Sequence, residues 1–146
     1  MKKEILAQSD SVTFPTRVDK LFETIYSEKP EYWPCGLSRN QFNGIGDRVI
    51  LLQDKDNDIG FIGLQKYRKD QNDNLGNVIS IALLPEYRKK GLAKQMLLKT
   101  IPTILQPEDG NIIWSANRNN EPSINLAKNL MNEKDKIKNQ IILQYT

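Results

Sequence analysis

VISIALLPEYRKKGLAKQMLLK, residues 78–99, is the stretch whose reading decides the fold. Seven apolar or small residues, Val78 to Leu84, predict a buried strand, because no alternation of polar positions marks a wet face. Pro85 closes it, having no N–H to offer a sheet ladder. Beyond the Glu86-Tyr87-Arg88-Lys89-Lys90-Gly91 loop, Leu92, Met96, Leu97 and Ile101 recur at helical spacing. A strand thus turns sharply into a helix through a loop carrying three consecutive cations and a glycine. Helix N-termini present unpaired N–H groups and a partial positive charge. At Gly91 a ligand can approach the backbone with no Cβ in the way. This combination predicts a phosphate or pyrophosphate site.

Outward from that stretch, the 146 residues suit one domain spanning 1–146. With 27% charged and 38% hydrophobic residues, the composition is that of a folded globular chain. No apolar run approaches the ~20 residues of a membrane span, and MKKEILAQSD lacks a secretory apolar core. The one cysteine, Cys35, cannot form an internal disulfide, which points to a reducing, cytoplasmic setting. Histidine is absent, excluding His-based metal sites, Ser/Cys–His pairs and a His general base. A formal charge of +3 suits an anionic ligand but is too weak to argue for nucleic acid.

Toward the N-terminus, Lys3 to Gln8 is a candidate first strand. Val18, Leu21, Phe22, Ile25 and Tyr26 predict one apolar helix face, with Thr16 and Asp19 at near-capping-box spacing. Pro30 and Pro34 end that helix before an aromatic segment, Glu31 to Gly36, and a short helix is expected over 37–43. Arg48 to Gln53 and Ile59 to Lys69 predict two strands around an Asp54–Asp58 turn, with Gly60 and Gly63 hinting at bulges. A polar turn is expected from Asp70 to Gly76, completing an antiparallel three-strand meander. Pro102 predicts a kink or early end in the helix from Gly91 to Leu105. Asn111 to Ala116 is a further strand, Glu121-Pro122 opens a helix through Leu130, and Ile141 to Tyr145 is a last strand. These elements place the chain in the α/β (α+β) class.

Arg88-x-x-Gly91-x-Ala93, in its strand–Pro–loop–helix setting, resembles the Arg/Gln-x-x-Gly-x-Gly/Ala signature of the GNAT superfamily of acyl-CoA-dependent N-acyltransferases. It is neither a dinucleotide fingerprint nor a P-loop. The element order extends the resemblance over nearly the whole chain. The resemblance implies a GNAT-like single domain, with a mixed, mostly antiparallel sheet, flanking helices and central strands that splay to admit the pantetheine arm. It implies acetyl-CoA as co-substrate, with contacts at Ile81, Ala82 and Leu83, and the pyrophosphate at Arg88, Lys89, Lys90, Gly91, Leu92, Ala93 and Lys94. An Asn leading into the last helix matches Asn120, with Asn117 its neighbour. The implied oxyanion donor is the amide of Leu83.

Three positions depart from the family pattern. Where many members carry a general-base carboxylate this chain has Ser115, and where others have a Glu on the central strand it has Ile79. The position of the general-acid Tyr is Ala127. The catalytic residues are not fixed by the sequence; Ser115 and the Leu83 amide are the candidates. The leading expectation is acetyl transfer to a primary amine, on a small molecule or a protein, by direct attack; the alternative is a CoA-binding or structural module without catalysis. The short tail after Met131-Asn132 invites completion of the sheet by a second copy, giving a homodimer.

Other signals yield blander readings. Asp54, Asp56 and Asp58 alternate as in a calcium loop, but Ile59 and Gln65 stand where that loop needs Gly and Glu, so no metal is expected. Lys66-Tyr67-Arg68-Lys69 mixes basic and aromatic residues, yet on a strand alternate side chains part to opposite faces. Tyr32 and Trp33 are candidates for an acceptor pocket or for a core cap. Cys35 has no activating partner and is read as a packing residue.

Overall fold

The computed structural model describes residues 5–8, 17, 20, 21, 23–25, 48–70, 73–88 and 91–145. Six strands form one sheet in sequence order: β1 (Ile5–Gln8), β2 (Arg48–Asp54), β3 (Asn57–Asp70), β4 (Asp73–Leu83), β5 (Ile112–Ala116) and β6 (Ile141–Tyr145). The first four are antiparallel neighbours, whereas β4–β5 and β5–β6 are parallel. Helix α1 (Leu92–Ile104) connects β4 to β5, and α2 (Glu121–Met131) connects β5 to β6. Arg17, Lys20, Leu21, Glu23, Thr24 and Ile25 are helical, as the early apolar spacing predicts. The expected helix at 37–43 and the aromatic segment lie outside the described residues.

The hairpin boundaries differ from expectation in the same direction twice. The Asp54–Asp58 turn shrinks to Lys55 and Asp56, and where a turn was expected over Asp70–Gly76, β3 runs to Asp70 and β4 begins at Asp73. Polar residues predict turns from their solubility, but the ladder between β3 and β4 runs on past the core and needs no apolar side chain to do so. Gly60 does mark an irregularity. Gln53 pairs with Asp58 and Leu52 with Gly60, leaving Ile59 as the extra residue of a bulge. A Cβ at Gly60 would stand 2.2 Å from the Ala82 carbonyl oxygen, so the close approach of β3 to β4 requires glycine. Gly63, by contrast, pairs in regular register with Val49 and Ser80. Pro102 sits in the last turn of α1, where the helix ends within one residue of the position read from spacing, so the early end does not occur.

Registry and alternation sort the side chains onto two faces. Leu52, Ile62, Leu64, Ile79, Leu83, Ile112, Trp114 and Ile141 join Met96, Leu97 and Ile101 of α1 and Ile124, Ala127 and Leu130 of α2 in one buried cluster. Leu51, Phe61, Ala82 and Ile113 alternate to the other face and are also buried, as are Leu21 and Ile25. Ile137, in the polar tail, is drawn into the main cluster.

Candidate functional site

The feature that opens a site is where a strand ladder stops. β4 pairs with β5 only at Asn77↔Ile112 and Val78↔Ile113, although β4 continues to Leu83 and β5 to Ala116. Beyond Val78 the two strands diverge, which is the splay of central strands that the resemblance implies. Backbone polarity along β4 follows from the pairs. Leu84 N–H donates to Ile59 O at 2.8 Å, toward β3, and Asn77 N–H donates to Asn111 O at 2.8 Å, toward β5. Hydrogen-bonding direction alternates along a strand, so Ile81 and Leu83 aim their amides at the gap. Ala82 does not: it pairs with Phe61 on the β3 side, so only its neighbours present backbone to the cleft.

A 3-10 turn, Pro85–Tyr87, carries the chain from β4 to α1. Tyr87 is buried, and its hydroxyl donates to Asp54 Oδ2 at 2.9 Å. That bond, with burial second, raises the Tyr87 pKa above 10.0, so the donor stays protonated. The turn is thereby pinned to the β2–β3 hairpin. Arg88 folds back from the turn's end, and its Nε donates to Leu83 O at 2.9 Å. Lys89 and Lys90 lie outside the described residues.

Gly91 is the N-cap of α1, with φ 72° and ψ 5°, a left-handed backbone that glycine adopts freely. Among the described residues no side chain caps the helix, and its first turn holds no acidic residue. Gln95 N–H donates to Gly91 O at 3.1 Å, so the amides of Leu92, Ala93 and Lys94 precede the first intrahelical bond. A Cβ at Gly91 would meet nothing within 4 Å, leaving open space where an anion would approach. A helix N-terminus with no acidic residue in its first turn fits a pyrophosphate. The Lys94 ammonium itself is 3.1 Å from Glu133 Oε1, tying α1 to the segment after α2.

Across the gap, Ser115 is half-buried on β5 and alternates with Ile113, away from the helix-covered face. Ile79 and Ala127 are buried in the main cluster, so the other two departures from the family pattern are core positions. Asn120 is the N-cap of α2: its Oδ1 accepts from Ser123 N–H at 3.2 Å. Asn117 Oδ1 accepts from Asn119 N–H at 2.9 Å, closing the turn before it. Ser123 Oγ in turn accepts from Trp114 Nε1 at 2.9 Å, fastening α2 to β5. The structure thus brings Ile81, Leu83, Arg88, Gly91 and the first turn of α1 to one side of the gap, and Ser115 to the other.

The Tyr87–Asp54 and Arg88–Leu83 bonds had no sequence signal. Each joins side chains to groups whose proximity depends on the bulged hairpin or on the turn's path. The triple-aspartate turn holds other partners: Asp58 receives Arg17 Nε at 2.9 Å, Arg17 Nη2 at 2.5 Å and Gln53 Nε2 at 2.9 Å. No cluster of three metal-ligating residues occurs among the described residues. Among them, too, no helix is long and apolar enough to cross a membrane.

Residues 18–131 match the family model described as the acetyltransferase (GNAT) family. No curated protein matches the chain. Several solved structures share its fold. Diaminobutyrate acetyltransferase from Paenibacillus lautus, in complex with L-2,4-diaminobutyric acid and coenzyme A, aligns at TM-score 0.68 and 18% identity, over 92% of this chain and 78% of its own. The Salmonella typhimurium protein yncA, with its cofactor acetyl-CoA, aligns at 0.65 and 14%, over 89% and 79%. Spermidine N-acetyltransferase from Vibrio cholerae, with CoA and spermine, aligns at 0.60 and 17%, over 86% and 78%. At such identities the likeness concerns the fold.

Proposed function

Because the chain belongs to the GNAT acetyltransferase family, we propose that it transfers an acetyl group from acetyl-CoA to a primary amine by direct attack. The observation that carries this reading is the continuity of two features. β4 parts from β5 after two pairs, and the same chain runs on into a helix N-terminus at Gly91. An extended arm fits the first and a pyrophosphate the second.

In this reading the amides of Ile81 and Leu83 align the pantetheine arm, while Gly91, Leu92, Ala93 and Lys94 hold the pyrophosphate through their backbone, with Lys89 and Lys90 beside them. Asn120 approaches the arm from the α2 side. The acceptor nitrogen, neutral at the moment of attack, forms the new C–N bond as the C–S bond breaks. The sulfur leaves with the electron pair and is protonated, and the amine's surplus proton passes to solvent. In this reading the Leu83 amide donates to the oxygen that gains charge. With no His in the chain, a water held by backbone carbonyls or by Ser115 takes the proton. L-2,4-diaminobutyric acid and spermine, the molecules bound by two of the structural neighbours, both offer primary amines and are suitable first acceptors.

The test combines binding and turnover. Acetyl-CoA at 100 times its dissociation constant is expected to stabilise the fold by about 2.7 kcal/mol, read as a melting shift. Gly91→Glu adds bulk and negative charge in the open space at the N-cap and is expected to abolish the shift. Thiol release with either amine reports catalysis. No shift at millimolar acetyl-CoA would sink the reading, and a shift without thiol release across primary amines would leave a binding module in its place.

A further inference from the structure

We infer that the Arg88 side chain acts as a positioning residue for the end of β4, through its Nε–H, and not as a phosphate-binding charge. Leu83 is the last residue of β4, and it lies opposite Gly60 in the β3 ladder. The alternation set by Leu84 N–H and Asn77 N–H turns both backbone groups of Leu83 toward the gap. On that side the β4–β5 ladder has ended at Val78↔Ile113. The splay therefore removes the strand that would otherwise pair with this stretch of backbone. Arg88 Nε–H donates to the Leu83 carbonyl at 2.9 Å, doing for that group what a neighbouring strand does elsewhere in the sheet.

Local geometry sets up this contact. The Pro85–Tyr87 turn reverses the chain, and Arg88 follows it in extended conformation, φ −86° and ψ 164°. Its side chain can then reach back five residues to the strand it has just left. The hydrogen bond orients the residue whose own amide faces the cleft, so a change in the bond moves the groups that would meet the thioester. The donor is Nε, attached to the δ carbon. Glutamine carries its side-chain N–H group at the same number of bonds from the backbone, without the charge. Lysine keeps the charge but bears its donors one atom further out, on a group with different geometry. The two roles therefore predict opposite rankings of Gln and Lys at this position.

The experiment compares Arg88→Gln, Arg88→Lys and Arg88→Met in the full chain. The first readout needs no cofactor: the melting temperature of the unliganded protein. Gln is expected to stay nearest the parent, with Lys and Met lower by roughly 3 °C or more, as an unpaired carbonyl at a half-buried site implies. A Lys variant that fails to fold while the Gln variant folds supports the proposal equally. The second readout rests on the acetyl-CoA reading. Lys is expected to lower kcat by roughly tenfold or more with a smaller rise in the acetyl-CoA KM, and Gln to do less of both. If Lys matches the parent in melting temperature while Gln falls, or if all three variants melt alike, the positioning role is wrong. A Gln variant that loses affinity for acetyl-CoA more than Lys does, in a salt-dependent way, also overturns it, because that pattern belongs to a charge on a phosphate. Failure of the parent to bind acetyl-CoA would overturn the proposed function and leave the unliganded ranking to decide this proposal.

Discussion

Ser115 stands where many relatives of this fold carry a carboxylate, and a hydroxyl cannot serve as a strong base near neutral pH. Its place on β5 facing away from the helix-covered side still puts it at the gap, half-buried and able to orient a water. If only a water relay removes the proton, the reaction waits on the fraction of acceptor that is already neutral. The rate is then expected to rise with pH toward the pKa of the acceptor amine, near 10.4 for a lysine-like amine and near 7.7–8.0 for an α-amino group. Ser115→Ala should cost less than the ~10²-fold that marks the low end for loss of a general base. A plateau near pH 6–7 that vanishes on replacing a single carboxylate, such as Glu31, Asp47 or Glu121, would assign the base to that residue instead. Ile79 and Ala127 compete for no such role, since both are packed in the core.

Elements carry the next level of the argument, and α2 shows how one residue can serve two purposes. Asn120 caps the helix through its Oδ1, while the proposed contact with the pantetheine arm would use its amide nitrogen. Asn120→Asp keeps the acceptor and loses the donor; Asn120→Ala loses both. The Ala variant is expected to be about 1 kcal/mol less stable and weaker in acetyl-CoA binding. The Asp variant keeps the cap and should still bind acetyl-CoA less well. Equal acetyl-CoA affinity in Asp and parent, measured by titration calorimetry, would confine Asn120 to capping. The elements themselves were legible from pattern: apolar runs in Val78–Leu84 and Asn111–Ala116, helical spacing in Leu92–Ile101, and Pro122 in the first turn of α2. The errors were of extent. Strands β3 and β4 run further than their apolar residues, since ladder hydrogen bonds extend a hairpin wherever the backbone can pair.

For the whole molecule, the two faces of the sheet must be joined to the segments that cover them. On the side of the N-terminal helical residues one such tie is the bidentate pair of Arg17 with Asp58, which links positions far apart in the chain. The Arg17 hydrogen bonds hold the Asp58 pKa below its ordinary 3.8, outweighing the opposing effect of burial, and Gln53 adds to the lowering. A carboxyl whose folded pKa is depressed stabilises the fold above its unfolded value. That contribution is lost as pH falls through the folded value. Asp58→Asn is therefore expected to be about 1 kcal/mol less stable than the parent at pH 7, with the gap closing as the pH falls below the ordinary 3.8. Parallel melting of the two proteins at both pH values checks this, and a gap that persists in acid would show that Asp58 acts through packing rather than charge.

By itself the sequence determined the elements and their order, and it is the source of the proposed anion site. Each of these is written in local information: residue periodicity, a proline that ends a strand, a glycine before a helix. The Arg88-x-x-Gly91-x-Ala93 spacing was enough to point to the family, because strand, turn and helix N-terminus are adjacent along the chain. Tertiary structure alone decided that β4 and β5 part after Val78, that Ile81 and Leu83 rather than Ala82 turn their backbone to the gap, and that Arg88 reaches back to Leu83. It also decided that Tyr87 is anchored on Asp54. These follow from register and from where one strand leaves another. Register is set by pairing between distant segments, and a one-residue slip in it would invert every assignment without altering any local pattern.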